Sequence, residues 1–298
     1  MNSQGNLLIT GATGFTGMHA CYHFIGRGFN VTAVARKTAS LPKDVHVEYC
    51  ELTNKKEIGS LIQKVRPQYV LHLAGQNHVG QSWDDPIASL EINSLATAYL
   101  LEAIRQHAPS CKSVIVGSAL QFDFNQLSTL SHPYSLSKTL QVLIAQSWAS
   151  LYHMDIVIAK PSNLIGPGLS NGVCSIFAQR IVEMEENKAD KFLQVNNLYD
   201  RRDFLDVRDA VRAYETLLMK GKPQETYEVT SGKSKSLDEL TETFKALTAI
   251  NFDVKSKSSE KLESFVEMKP LKLNNLGWEQ ELSFSSSLKD ILDFYRQK

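Results

Sequence analysis

The segment Tyr134-Ser135-Leu136-Ser137-Lys138 sets a phenol and an amine four residues apart. On a helix that spacing puts both side chains on one face. An isolated phenol titrates near ~10 and is a poor acid–base group at neutral pH. An ammonium beside it, together with the positive ring of an oxidised nicotinamide, favours the phenolate and lowers that value. Ser118 follows the apolar run Ser113-Val114-Ile115-Val116-Gly117 and offers a hydroxyl to the same substrate oxygen. Ser118, Tyr134 and Lys138 are therefore the catalytic candidates. Their chemistry is hydride transfer between a nicotinamide and a carbonyl carbon, with Tyr134 handling the proton of the oxygen and Lys138 holding the nicotinamide ribose.

A hydride needs a carrier, and the chain opens with a means of holding one. Leu7-Leu8-Ile9-Thr10 reads as a buried strand that runs into Gly11-Ala12-Thr13-Gly14-Phe15-Thr16-Gly17. Gly11 takes the sharp strand-to-helix turn, Gly14 lets a pyrophosphate approach the backbone, and Gly17 lets the next helix pack closely. The helix N-terminus then presents amides and partial positive charge to phosphate. Gly11, Thr13, Gly14, Phe15 and Thr16 are the expected contacts. An acidic residue at the end of the second strand selects NAD. Here the strand ends Val34-Ala35-Arg36-Lys37, so two cations stand where the carboxylate belongs. Arg36 and Lys37 suit a 2′-phosphate, which favours NADP(H), with NAD(H) as the alternative. Glu51 and Leu52, past the third strand, are placed for the adenine.

Strand-like runs alternate with helical ones between these residues. Helices are expected over 16–27, Lys55–Val65, Pro86–His107 and Pro133–Tyr152, with strands at Val31-Thr32-Ala33-Val34-Ala35, Val45-His46-Val47, Tyr69-Val70-Leu71-His72-Leu73-Ala74 and Asp155-Ile156-Val157-Ile158-Ala159-Lys160. The class is α/β, a Rossmann-type doubly wound parallel sheet with a smaller C-terminal α/β lobe for substrate. Residues 1–165 form the dinucleotide-binding domain, to which later segments return, and 166–298 form mainly the substrate lobe. The Lys/Ser-rich stretch 255–261 reads as a solvated loop.

With 32 basic and 32 acidic residues, nothing favours nucleic acid or an anionic membrane as partner. No apolar run reaches the ~20 residues of a membrane span. Four scattered cysteines fit neither a disulfide framework nor a zinc site, and a cytoplasmic location follows. His19 and His23 share a helix face without a third ligand, so no metal is expected. His72 falls inside a core strand and reads as a hydrogen-bonded core group.

Together the glycine loop, Ser118 and the Tyr134/Lys138 pair resemble the short-chain dehydrogenase/reductase family, over the whole chain. More narrowly the chain resembles its extended branch of nucleotide-sugar epimerases, dehydratases and 4-ketoreductases. Leu73-Ala74-Gly75-Gln76-Asn77-His78-Val79-Gly80-Gln81-Ser82-Trp83 is similar to the segment found in GDP-mannose 4,6-dehydratases and GDP-6-deoxy-lyxo-hexulose reductases. Asn163-Leu164-Ile165-Gly166-Pro167-Gly168, Arg202-Asp203-Phe204-Leu205-Asp206-Val207-Arg208-Asp209 and Leu276-Gly277-Trp278 resemble further signatures of that branch. The resemblance implies that Leu73, Ala74, Gly75 and Pro161 line the cofactor. It implies that Arg202 meets the diphosphate of a sugar nucleotide, that Asn163 bonds the same diphosphate or the sugar, and that His78 and Gln81 line the hexose pocket. Asn93 is expected to be structural. The resemblance also implies a homodimer through the helices around Ala88–His107 and Tyr134–Tyr152, where Tyr99, Leu100 and Leu101 on the first suit either a seam or a core.

One departure narrows the chemistry. A 4,6-dehydratase carries an acid directly after its catalytic hydroxyl, to remove water across C5 and C6. Here Ser118 is followed by Ala119-Leu120-Gln121, none of which donates or abstracts such a proton. The expected function is therefore NAD(P)H-dependent reduction of a nucleoside-diphosphate 4-keto-6-deoxyhexose. A nucleotide-sugar 4-epimerase using the same residues is the alternative. A dehydratase and a non-catalytic dinucleotide sensor stand further off.

Overall fold

The computed structural model describes residues 4–258, 260 and 267–298. The chain leads from β1 (Asn6–Thr10) into α1 (Phe15–Gly26), β2 (Asn30–Ala35), β3 (His46–Tyr49), α2 (Lys55–Val65) and β4 (Tyr69–His72). Short helices α3 (Val79–Asp84) and α4 (Pro86–Leu90) precede a single π turn, Glu91–Leu95, and α5 (Ala96–His107). Then come β5 (Lys112–Val116), α6 (Pro133–Tyr152) and β6 (Ile156–Pro161). The remaining elements are β7 (Asn163–Ile165), α7 (Val173–Glu185), β8 (Phe192–Asn197), β9 (Arg201–Asp206), α8 (Val207–Lys220), β10 (Thr226–Val229), β11 (Ser234–Ser236), α9 (Leu237–Leu247), β12 (Asp253–Ser258), α10 (Leu271–Asn274) and α11 (Phe284–Arg296).

Two compact units emerge. The first comprises Met1–Pro161 and Val211–Tyr227, the second Ser162–Ala210 and Glu228–Lys298. The chain thus leaves the first unit at Pro161, ahead of the boundary expected at 165, and one later segment returns to it.

The main sheet has seven strands in the order β10-β6-β5-β4-β1-β2-β3. β1 pairs in parallel with both β2 and β4, so the strand order reverses there. At such a switch point the carboxyl ends of the strands open a crevice for a ligand. Leu7, Leu8 and Ile9 have no exposed surface, as a central strand covered on both faces by helices requires. On one face Ile58, Ile62, Leu100, Leu101, Ile104 and Ala145 join the strands in a single core cluster. Leu100 and Leu101 therefore belong to the core and not to a seam, and Tyr99 is partly buried against the same cluster. The run Pro86–His107 is, against expectation, long and apolar enough to cross a membrane by length and composition. Half of that window is buried inside the protein, and α5 packs between α2 and α6.

The second unit has its own core around Phe177, Ile181, Phe204, Phe244, Ile291 and Leu292. β9 is the centre of a three-stranded sheet, antiparallel to β11 and parallel to β7. The expected loop at 255–261 is corrected here. Residues 255–258 belong to β12, which pairs in parallel with β8, so this polar, mostly exposed stretch is a strand; residues 259 and 261 lie outside the described residues.

Candidate active site

At the crevice, the glycines behave as steric necessity demands. Gly11 has φ +68, and a Cβ there would lie 2.7 Å from the Ala74 amide nitrogen. A Cβ on Gly17 would sit 2.1 Å from the Gly11 carbonyl oxygen. α1 starts at Gly14 with no side-chain cap on its first turn. Backbone brought this close, at an uncapped helix start, fits a dinucleotide pyrophosphate. Thr13 is exposed, and Phe15 packs edge-on against His19 at 5.5 Å. Arg36 and Lys37 are exposed just past β2. Glu51 is partly committed already, because its Oε1 accepts from the Thr53 amide and hydroxyl at 3.1 and 3.0 Å. Leu52 packs on the core cluster.

A buried polar network ties the glycine loop to the loop after β4. The Thr97 hydroxyl donates its one proton to the Asn93 carbonyl at 2.7 Å. It must therefore accept from His72 Nε2 at 2.9 Å and from Gln141 Nε2 at 3.0 Å. His72 is then the Nε2–H tautomer, and its Nδ1 accepts from the Thr10 hydroxyl at 2.7 Å. Thr10 in turn accepts from the Ala74 amide at 3.2 Å. Burial, with a smaller contribution from the Lys138 charge, pushes the His72 imidazole down to about 3, so it stays neutral.

Asn93 clamps the next two residues of that loop. It accepts from the Gln76 amide at 2.8 Å, donates to the Gln76 carbonyl at 3.0 Å and donates to Ser137 Oγ at 2.8 Å. A Cβ on Gly75 would meet Asn93 Oδ1 at 2.8 Å. Its place in the π turn turns this amide toward the loop, as π turns commonly do at functional positions.

Ser118, Tyr134 and Lys138 are 8 %, 7 % and 5 % exposed, so the catalytic candidates form a nearly dry site. Lys138 Nζ donates to the Val116 carbonyl at 2.8 Å, which uses one of its three N–H groups. Burial lowers the Lys138 amine to about 7. In the ligand-free protein burial is the larger influence on Tyr134. Burial raises its phenol above the ordinary tyrosine value, and a hydrogen bond with Ser118 draws it part of the way back. The lowering expected from the ammonium depends also on the positive ring of a bound oxidised nicotinamide. At neutral pH Tyr134 is a protonated phenol, suited to donating a proton.

The Lys138 shift carries a stability signature. Its folded-state value lies below the unfolded one, so the unfolded chain binds the extra proton between about 7 and the ordinary ~10.5. Stability of the ligand-free protein should rise with pH through that window. In Lys138→Met the rise should flatten, as read from melting temperatures at pH 7 and 9; parallel curves for the two proteins would contradict the assignment.

Of the remaining candidates, Pro161 ends β6 and its carbonyl accepts from the Ala119 amide at 2.9 Å. His78 is exposed and caps α3, its Nδ1 accepting from the Gln81 amide at 3.1 Å. Asn163 and Arg202 lie in the second unit. Asn163 Nδ2 donates to the Asp203 carbonyl at 3.0 Å, and Arg202 sits on β9 opposite Lys235. The buried Asp203 carboxylate accepts from Ser162 Oγ at 2.6 Å and from Ser231 N and Oγ at 2.9 Å. Trp278 is 3 % exposed and donates to the Asp209 carbonyl at 3.0 Å. Gln121 folds back toward α6, its Nε2 3.4 Å from the Lys138 carbonyl, and brings no acid to the site. Sequence reasoning missed His132, which caps α6 through Nδ1 and the Ser135 amide at 2.9 Å. The signal was its place just before Pro133, but caps are sought among Ser, Thr, Asn and Asp.

Comparison with known proteins agrees with this geometry. The family described as "NAD dependent epimerase/dehydratase family" matches residues 7–230. A GDP-6-deoxy-D-mannose reductase of Pseudomonas aeruginosa is 27 % identical over 98 % of this chain and 97 % of its own length. A putative UDP-glucose 4-epimerase of Methanocaldococcus jannaschii is 25 % identical over 97 % of this chain and 98 % of its own. Among solved structures, RMD from Pseudomonas aeruginosa complexed with NADPH superposes with a TM-score of 0.83 at 26 % identity, covering 99 % of both chains.

Proposed function

This chain belongs to the NAD dependent epimerase/dehydratase family, and from that premise we propose that it reduces the 4-keto group of a nucleoside-diphosphate 4-keto-6-deoxyhexose with NADPH. It is an NAD(P)-dependent enzyme. The observation that carries the reading is Tyr134: a buried phenol kept protonated, beside Ser118, in a site with no acid directly after the serine. Bound NADPH supplies the hydride. Ser118 and Tyr134 hold the carbonyl oxygen, and Tyr134 releases its proton to the alkoxide as it forms. The two remaining N–H groups of Lys138 serve the nicotinamide ribose, and its charge steadies the phenolate left behind. Gly11, Thr13, Gly14, Phe15 and Thr16 take the pyrophosphate, Leu73, Ala74, Gly75 and Pro161 the nicotinamide half, and Glu51 with Leu52 the adenine.

Full-length similarity to a reductase of a GDP-linked sugar supports the substrate class. Arg202, whose planar fork matches phosphate oxygens, and Asn163 are assigned to the diphosphate, with His78 and Gln81 assigned to the hexose. A 4-epimerase remains the second reading, favoured by the full-length likeness to a putative UDP-glucose 4-epimerase. Melting the protein with NADPH and a panel of sugar nucleotides tests the substrate class. Stabilisation by at least one nucleotide-linked sugar is expected, and no shift with any of them would overturn it.

Arg36 and Lys37 support NADPH as the preferred cofactor. Replacing both with Ala should raise KM for NADPH roughly 10- to 100-fold, the worth of a lost charge-assisted contact, and that for NADH less than about threefold. An equal rise for both cofactors would count against the assignment. A homodimer goes with this reading, now through other residues than Tyr99, Leu100 and Leu101. Along α6, Leu136, Leu140 and Leu143 are half-exposed and Leu151 is 69 % exposed on one face, a stripe that suits a second copy. Leu140→Arg with Leu143→Glu should give monomers by light scattering, whereas an unchanged dimer would place the seam elsewhere. Four buried, unpaired cysteines agree with a reducing, cytoplasmic setting.

A further inference from the structure

Tyr134 is held by two helices, and both begin on a histidine. His132 is the N-cap of α6, with Nδ1 accepting from the Ser135 amide at 2.9 Å. Its ring stacks on that of Tyr134, with centroids 5.9 Å apart and planes at 29°. His78 does the same for α3, accepting from the Gln81 amide at 3.1 Å. The two helices meet at Tyr134 itself, whose amide donates to Ser82 Oγ of α3 at 3.1 Å. Ser82 Oγ passes its own proton to the Val79 carbonyl in the first turn of α3 at 2.6 Å. Elsewhere the chain caps with ordinary residues, Asn54 on α2, Asp85 on α4, Ser236 on α9 and Ser283 on α11.

An imidazole can cap a helix only while Nδ1 carries a lone pair. Protonation turns the acceptor into a donor that faces the amide it had held, and it sets a cation on the positive end of the helix dipole. Neither helix has an acidic residue in its first turn to offset that charge. The ionisable groups in the segments that form these two starts and pack beside them include Tyr134 and Lys138 on α6, Asp84 on α3, Asp85 at the start of α4, Glu91 in the π turn and Asp123 in the loop before α6. Among the described residues none of them hydrogen-bonds either imidazole; Lys138 is turned to Val116, Asp85 to Ala88 and Asp123 to Asn125.

We propose that His132, with His78 as its counterpart, is a positioning residue for Tyr134 that works only as a neutral imidazole, so that acid uncaps the helix that carries the phenol. The inference rests on Tyr134 being the proton donor. Burial already lowers the His132 pKa below the ordinary histidine value. A folded-state value below the unfolded one gives stability that is present above the ordinary histidine range and is lost as pH falls below it.

Two measurements on the full chain decide it, with His132→Asn as the variant, because asparagine caps at any pH. On going from pH 7.5 to 5.5 the wild-type melting temperature should drop by roughly 2–4 °C more than that of the variant, the effect of losing one cap in a protein of this size. His132→Ala should melt below wild type at pH 7.5 and show the smaller, Asn-like drop on acidification. Over the same interval kcat/KM for the keto sugar nucleotide should fall further in wild type than in His132→Asn, by a factor of less than about ten because the lowered His132 value leaves part of the imidazole neutral at pH 5.5. Equal drops in melting temperature overturn the cap assignment, and equal falls in kcat/KM overturn its link to Tyr134. If no keto sugar is turned over by wild type, the proposed reaction fails, while the melting comparison still decides the cap.

Discussion

Tyr134→Phe should lose turnover and keep its cofactor: kcat falls by about a thousandfold or more, while NADPH affinity stays within about twofold. Phenylalanine preserves the ring, its burial and its stacking on His132, and removes only the hydroxyl. Among the described residues of the site, the neighbouring groups are poorer proton donors. Ser118 is a neutral hydroxyl whose oxygen already accepts from the Leu120 amide at 3.1 Å. Gln121 carries no titratable proton, and the Lys138 ammonium is drawn to the Val116 carbonyl. Fluorescence titration with NADPH and single-turnover kinetics read the two quantities separately. A variant that still turns over near the wild-type rate would remove Tyr134 from the reaction.

Gly17→Ala should cost both the fold and the cofactor. A Cβ at Gly17 would lie 2.1 Å from the Gly11 carbonyl oxygen and 2.6 Å from Ala12 Cα. Both are backbone atoms, so α1 itself must lift from the loop. Overpacking of a flexible core typically destabilises by about 1–3 kcal/mol, and a rigid backbone obstacle should exceed that. The displaced helix start also no longer meets the pyrophosphate, so NADPH affinity should fall by about a hundredfold or more. Gly14→Ala is the internal contrast. Its Cβ would meet only the Gly11 oxygen, at 3.3 Å, in an extended conformation with φ −80 that alanine accepts. That variant should melt near wild type and still bind NADPH poorly. If instead Gly17→Ala retains both stability and affinity, the close packing of helix on loop is not what positions the cofactor.

These two residues were legible in the sequence for different reasons. Glycines at 11, 14 and 17 between an apolar strand and a helix leave few other structures, because only glycine fits where backbones nearly touch. Tyr134 and Lys138 were legible through helical periodicity, and Pro133–Tyr152 forms the helix that spacing required. What stayed hidden depended on long-range contacts. Asn93 holds Gln76 and Ser137 across separations that no local pattern reports, and the π turn that aims it leaves no mark in residue types. The polar pattern of 255–258 matched a loop because a mostly exposed strand is decided by its partner, β8. The depth at which Tyr134 is buried stayed hidden because it is a tertiary property: the neighbouring amine was visible in the sequence and the exclusion of water was not. Leu100 and Leu101 had the composition of either a seam or a core, and only packing separates the two.

The most direct test of the central claim is a mass balance on the cofactor. The purified chain is mixed with NADPH and nucleotide-linked 4-keto-6-deoxyhexoses of differing base, absorbance at the NADPH band is followed, and the sugar product is analysed. One NADPH consumed for each keto sugar reduced at C4, with the loss of absorbance abolished in Tyr134→Phe, is the predicted result. No net NADPH oxidation with any keto sugar, together with inversion of C4 in a saturated sugar nucleotide, would contradict it and identify an epimerase.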